Sequence, residues 1–264
     1  MIKYNIRDLI EAGIGTLYIG VESLQDEVIQ GERIHKRDGN IVNLFNELHR
    51  NGINTLGSLI VGWDNQTIED AKKDAEKFIK LNPTFYQIVP LHPVPGAPLW
   101  KRLKNDSRLM NNYIIEDDGV GKFIFNLANM SNSNALSLIQ KTYQGLINEG
   151  GPWPFRLAEN LLSGYLTLRP KTEEVFLERA DSYRKLLFQI LPLALSTQLI
   201  FKGESFRSRM KRFKGPVANI FPLQYFISLL LSPFTLLLIL LLVGISNLLY
   251  IINPSGEQPP SGFG

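Results

Sequence analysis

The chain has 264 residues, 44% of them hydrophobic and 20% charged, with a net charge of +3. These are globular proportions for one domain with an appendage; they exclude a disordered chain, and the mild charge implies no nucleic-acid partner. There is no cysteine, which excludes disulfides, thiolate nucleophiles and any cysteine-held zinc or iron–sulfur site in this chain. Residues 1–20 carry charges throughout and lack the apolar core of a signal peptide.

The first hundred residues alternate between two periodicities. "IRDLIEAG" (6–13) has helical apolar spacing and stops at Gly13, and "TLYIGV" (16–21) reads as a buried strand. "GNIVNLFNELHRNG" (39–52) is an amphipathic helix with Ile41, Leu44, Phe45 and Leu48 on one face, closed by Gly52. "TLGSLIVG" (55–62) is strand. "QTIEDAKKDAEKFIKLN" (66–82) is helix, with Thr67 as N-cap and Asp70 placed for a near capping box. "FYQIVPL" (85–91) is a third strand, followed by the Pro-punctuated "HPVPGAPLW". Strands alternating with helices across short connections predict consecutive βα units on a parallel sheet.

From Pro98 the pattern turns helical. "LWKRLKND" is a short helix, 112–126 reads as loop or hairpin, and 134–151 is an amphipathic helix capped by Asn132 or Ser133. The segments "RLAENLLSGYLTLRP" and "TEEVFLERADSYRKLLFQILPLALSTQLIFKG" read as further helices. No catalytic grouping appears in this middle third. His35, His49 and His92 have no metal-ligand spacing. The acidic run Glu116–Asp118 reads as a solvated loop, and "GVG" at 119–121 lacks the Lys-Ser/Thr of a phosphate loop.

In parallel α/β folds, ligands bind at the carboxyl ends of the strands. Here those ends read "GVES", "IVGWD" and "VPLHPVPGAP". A carboxylate and a hydroxyl at the first suit a polar ligand such as a ribose, and the glycines allow close backbone approach. The bland reading of Ser23 is a helix cap working with Asp26 or Glu27.

Taken in order, these motifs resemble the second half of a radical S-adenosylmethionine barrel, over residues 3–104. The similarity is greatest to the branch that often carries a cobalamin-binding domain upstream. It rests on an "AG…GVES" fourth strand, "GI…GSLIVG" for the fifth and "PVPGAPL" at the end of the sixth. The resemblance implies S-adenosylmethionine as cofactor. Glu22 and Ser23 would face its ribose hydroxyls, Lys36 its methionyl carboxylate, Ser58 and Gly62 its adenosine, and Pro95 and Gly96 would form the last turn. Two loops depart from the family: "GWDNQT" lacks its proline, and Ala97 replaces its Thr. The larger departure is the absence of strands one to three and of the CxxxCxxC loop that holds the family's [4Fe–4S] cluster. The expectation is therefore a half TIM-like α/β barrel, truncated or split, inactive alone and completed by a polypeptide carrying the other half and any cobalamin. The alternative is a non-catalytic remnant or partner at the membrane.

The opposite end carries a second signal. No charge occurs in the 32 residues 221–252, and the 19 from Phe234 to Ile252 also lack proline. At 1.5 Å per residue these 19 span about 28 Å, close to a bilayer core of about 30 Å. A transmembrane helix follows. Pro222 and Pro233 leave open a short first half and a re-entrant pair. Upstream lie Lys202, Arg207, Arg209, Lys211, Arg212 and Lys214; the tail after Ile252 has no Lys or Arg. That asymmetry puts the main domain in the cytoplasm, with the basic stretch against anionic lipid. The expected organisation is 1–104 partial barrel, 105–215 helical extension, 216–254 membrane segment and 255–264 polar tail.

Overall fold

A computed structural model describes residues 5–31, 40–110 and 122–252, with side chains up to residue 242. The elements run α1 (Ile6–Glu11), β1 (Thr16–Glu22), α2 (Asp26–Gly31), α3 (Ile41–Arg50), β2 (Asn54–Val61), α4 (Ile68–Leu81) and β3 (Phe85–Pro90). Then follow α5 (Pro98–Asn105), α6 (Asn132–Gly150), α7 (Trp153–Leu168), α8 (Glu174–Ile200), α9 (Glu204–Ile220) and α10 (Pro222–Ile252). The protein is mixed α/β and mostly helical, with one three-stranded parallel sheet in the order β1-β2-β3.

Local chemistry explains the boundaries. Thr67 caps α4 as expected: its hydroxyl accepts from Asp70 N at 3.2 Å while Asp70 Oδ2 accepts from Thr67 N at 3.1 Å. The cap of α6 differs from expectation, since Ser131 accepts from Asn134 N at 3.2 Å. Asn132, expected as a cap, bonds backwards to Phe125 O and Leu127 N. Gly52 ends α3 at φ 76°, and a Cβ there would lie 2.5 Å from the Tyr183 ring. Both the turn and the approach of α8 demand glycine.

The sheet has one well-covered face. Leu59, Val61 and Ile88 share a core with Ala71 and Phe78 of α4 and with Ile139 and Leu146 of α6. The other core joins Leu9, Ile10, Leu48 and Ile53 to α7, α8 and α9. Both cores thus draw on residues before and after position 104. By the two-residue alternation of a strand, Tyr18, Gly20, Leu56, Ser58, Ile60, Phe85, Gln87 and Val89 share the opposite face. That face is unevenly covered: Tyr18 is 64% exposed and Gln87 is exposed, Gly20, Leu56, Ile60, Phe85 and Val89 are half-buried, and Ser58 is buried. A parallel sheet ordinarily buries both faces.

The two edges also differ. The Tyr143 hydroxyl of α6 accepts from Ile88 N at 3.0 Å and donates to Ile88 O at 3.3 Å, so it seals the outer edge of β3. Among the described residues no side chain does this for β1 between Leu17 and Val21.

Among the described residues one helix, α10, is long and apolar enough to cross a membrane, over the 21 residues Pro222–Leu242, most of them not buried. It starts earlier than the expected 234–252 and runs unbroken through Pro233, so the first half is no separate element. Proline removes the N–H that would serve the Leu229 carbonyl; the Ser232 hydroxyl donates to that carbonyl instead, at 3.0 Å. Helix α9 was not foreseen, because its basic residues obscure the apolar series Phe206, Met210, Phe213 and Val217.

Candidate site at the carboxyl ends of the strands

Parallel strands bring the ends of β1, β2 and β3 to one side of the sheet, so "GVES", "VGWD" and "PVPGAP" meet there. Glu22 ends β1 in the left-handed region at φ 59°, unusual for a residue with a side chain and a form of stored strain. Its register to β2 shifts at the same point. The carboxylate folds back over Gly20, close enough that a Cβ on Gly20 would lie 2.4 Å from Glu22 Oε1. Glu22 is half-buried.

Ser23 turns inward and is 2% exposed. Its hydroxyl donates to Asp74 Oδ2 at 2.7 Å and accepts from Gln25 N at 3.2 Å, so neither Asp26 nor Glu27 is its partner. Asp74, on the buried face of α4, collects three further donors: Leu24 N at 2.7 Å, Gln25 Nε2 at 3.0 Å and Gln66 Nε2 at 2.9 Å. Gln66 in turn accepts from Gly62 N at 2.8 Å. One carboxylate thereby joins the ends of β1 and β2. Burial pushes its pKa above the ordinary carboxylate range, opposed by the bonds from Ser23, Gln25 and Leu24. Four convergent donors favour the ionised form and so act against that burial.

Asp74 was missed from the sequence, although a signal existed. It occupies an apolar position in the series Ala71, Asp74, Ala75, Phe78, all buried in the structure. An acid at such a position needs partners.

The other expected residues are placed as follows. Ser58 is buried, between Gly20 and Gln87 in the register. Gly62 has φ 100°, and a Cβ there would lie 2.6 Å from the Phe123 ring, so its lack of a side chain serves the packing of Phe123 and Leu127. Pro95 and Gly96 are exposed, Gly96 at φ 85° with open space around its missing Cβ. Lys36, the acidic run at 116–118 and "GVG" at 119–121 lie outside the described residues. The structure therefore brings Glu22, Ser23 and Gly62 together through Asp74, Gln66 and Trp63, whose Nε1 donates to Glu22 O at 3.5 Å. Pro95 and Gly96 stand on the exposed loop after β3.

A second polar cluster lies at the amino ends of the strands. His49 Nε2 meets Thr55 Oγ1 at 2.8 Å, and Asn160 Nδ2 donates to Thr84 Oγ1 at 2.7 Å. Burial, aided by Arg209 and Arg156, pushes the His49 pKa down from 6.5 to about 4. Arg156, buried to 1% exposure, donates to Pro83 O, Gly151 O and Leu146 O and lies over the Tyr86 ring. All its donors serve backbone carbonyls, which is structural work.

An open groove of about 940 Å³ runs between α4, α6 and α9, lined among others by Lys80, Glu149 and Arg212. None of the cofactor-site residues expected from the sequence lines it, although Arg209 and Arg212 of the basic stretch do. Among the described residues no cluster of acids and histidines is built to hold a metal ion. With no cysteine in the chain, its residues do not fit a [4Fe–4S] cluster. No protein-family model matches the chain, and no curated protein matches it.

Proposed function

We propose that the chain is a membrane-held half-barrel that forms one side of an S-adenosylmethionine site of the radical S-adenosylmethionine type, completed by further βα units in cis or in trans. The observation that carries this reading is the asymmetry of the sheet. Tyr143 closes its β3 edge at Ile88, while among the described residues no side chain bonds the β1 edge and Tyr18 stays exposed. In the family that the motifs resemble, β3 corresponds to the last strand and β1 to a strand with a neighbour on its other side. The difference between the two edges supports that correspondence.

On this reading Glu22, Pro95 and Gly96 present the cofactor-facing rim, Gly62 lies beneath it against Phe123, and Ser23 and Asp74 hold the rim in shape. The cluster ligands, and any cobalamin, belong to the completing units. Helix α10 anchors the chain, and the basic residues ahead of it place the sheet on the cytoplasmic side. A second reading, a non-catalytic membrane partner, is favoured by one specific observation: the Ser23 hydroxyl is already taken by Asp74.

A photo-crosslinking amino acid in place of Tyr18, in the native membrane, separates the two. The proposal expects a crosslink to βα units bearing a CxxxCxxC loop. A crosslink confined to lipid or to another copy of this chain would overturn it.

A further inference from the structure

Helix α9 uses one side for the fold and leaves another unused. Phe206, Met210, Phe213 and Val217 are buried, with Phe155 set edge-on against both Phe206 and Phe213. At about 100° per residue, Arg207, Lys211 and Lys214 (i, i+4, i+7) form a stripe on the flank of that buried line. Arg207 and Lys211 are exposed, and the helix has a single acid, Glu204, at its start.

The stripe does not stand alone. Lys214 Nζ donates to Gln198 Oε1 of α8, which joins it to the end of that helix. There Leu199 and Ile200 are 45% and 50% exposed, and Lys202 follows, exposed, its Nζ on the Gln198 carbonyl at 3.0 Å. Two large exposed apolar side chains thus lie at the end of α8 that Gln198 links to Lys202 and Lys214, and Arg207 and Lys211 continue the stripe from Lys214 along α9. Helix α10, directly after α9, packs against both α8 and α9.

We propose that Leu199, Ile200, Lys202, Arg207, Lys211 and Lys214 form a docking surface for the anionic lipid leaflet. The apolar pair enters the boundary between headgroups and acyl chains, and the four cations meet lipid phosphates. Charge complementarity and continuity with α10 select this occupant; an acidic protein has no use for Leu199 and Ile200. The inference rests on the reading of α10 as an anchor, and the experiment keeps the two apart.

Because the chain has no cysteine, an Ile200→Cys variant of the full chain takes a single environment-sensitive fluorophore. It is offered to phosphatidylcholine vesicles and to vesicles also containing phosphatidylglycerol, then floated. The expected result is flotation with both and a blue shift only with the anionic vesicles. About 1 M salt, with a Debye length of about 3 Å, removes the shift. Arg207→Glu with Lys211→Glu weakens the anionic preference by roughly fivefold per charge. Flotation with both and no difference in emission overturns the docking surface and leaves the anchor standing. Flotation with anionic vesicles alone overturns the anchor and, with it, the continuity that selects this occupant; flotation with neither overturns both. A shift produced by inorganic phosphate without anionic lipid also overturns the proposal.

Discussion

The Ser23 hydroxyl donates to Asp74 Oδ2 across 2.7 Å, fastening the end of β1 to the buried face of α4. Through Gln66 the same carboxylate reaches Gly62 at the end of β2. The shape of the rim therefore depends on one side chain that no ligand need touch. Asp74→Ala leaves the buried donors of Ser23 and Gln66 unmatched, and the part-buried ones of Leu24 and Gln25, at about 1–3 kcal/mol for each buried donor before relaxation. The expected loss is about 3 kcal/mol of unfolding free energy, read by denaturant titration in detergent micelles, and a loss below about 1 kcal/mol would show the network to be slack.

His49 gives the fold an acid-sensitive point. Its pKa is depressed in the folded state, from 6.5 to about 4, so the neutral ring is favoured there. The stability linked to it is fully present above 6.5 and is lost as pH falls toward 4. Over that window the loss amounts to about 3 kcal/mol. Asp74 acts in the opposite sense, because a raised carboxylate pKa costs stability as pH rises. The comparison that isolates His49 is wild type against His49→Gln across pH 7 to 5: the variant, lacking the titrating ring, has the shallower slope.

Much of the fold was readable from local pattern. Apolar spacing located the three strands and the helices α3 and α4, and Thr67 with Asp70 marked where α4 begins. The parallel sheet followed from the alternation of the two periods. What escaped was set by distance or by compensation. Ser23 and Asp74 are 51 positions apart, so nothing local announces their bond. Pro233 suggested a break that the Ser232 hydroxyl averts. Helix α9 hid its apolar line among cations. At the strand ends, motif order singles out Glu22 and Gly62, while the left-handed turn at Glu22 and the Phe123 ring against Gly62 are tertiary facts.

The anchor has its own test. Leu240 and Leu241 are 56% and 54% exposed on α10. Replacing both with Arg costs about 6 kcal/mol on the insertion scale near a helix centre. The double variant is expected to leave the membrane pellet on carbonate washing, whereas wild type stays. Equal extraction of the two would argue that α10 is held by protein alone.

The measurement closest to the central claim is photolabelling of the full chain in its native membrane with radiolabelled S-adenosylmethionine, followed by mapping of the labelled peptides. The account predicts label, displaced by excess unlabelled cofactor, in the segments ending β1, β2 and β3. Absence of displaceable label from this chain, or its confinement to the groove between α4, α6 and α9, would contradict it.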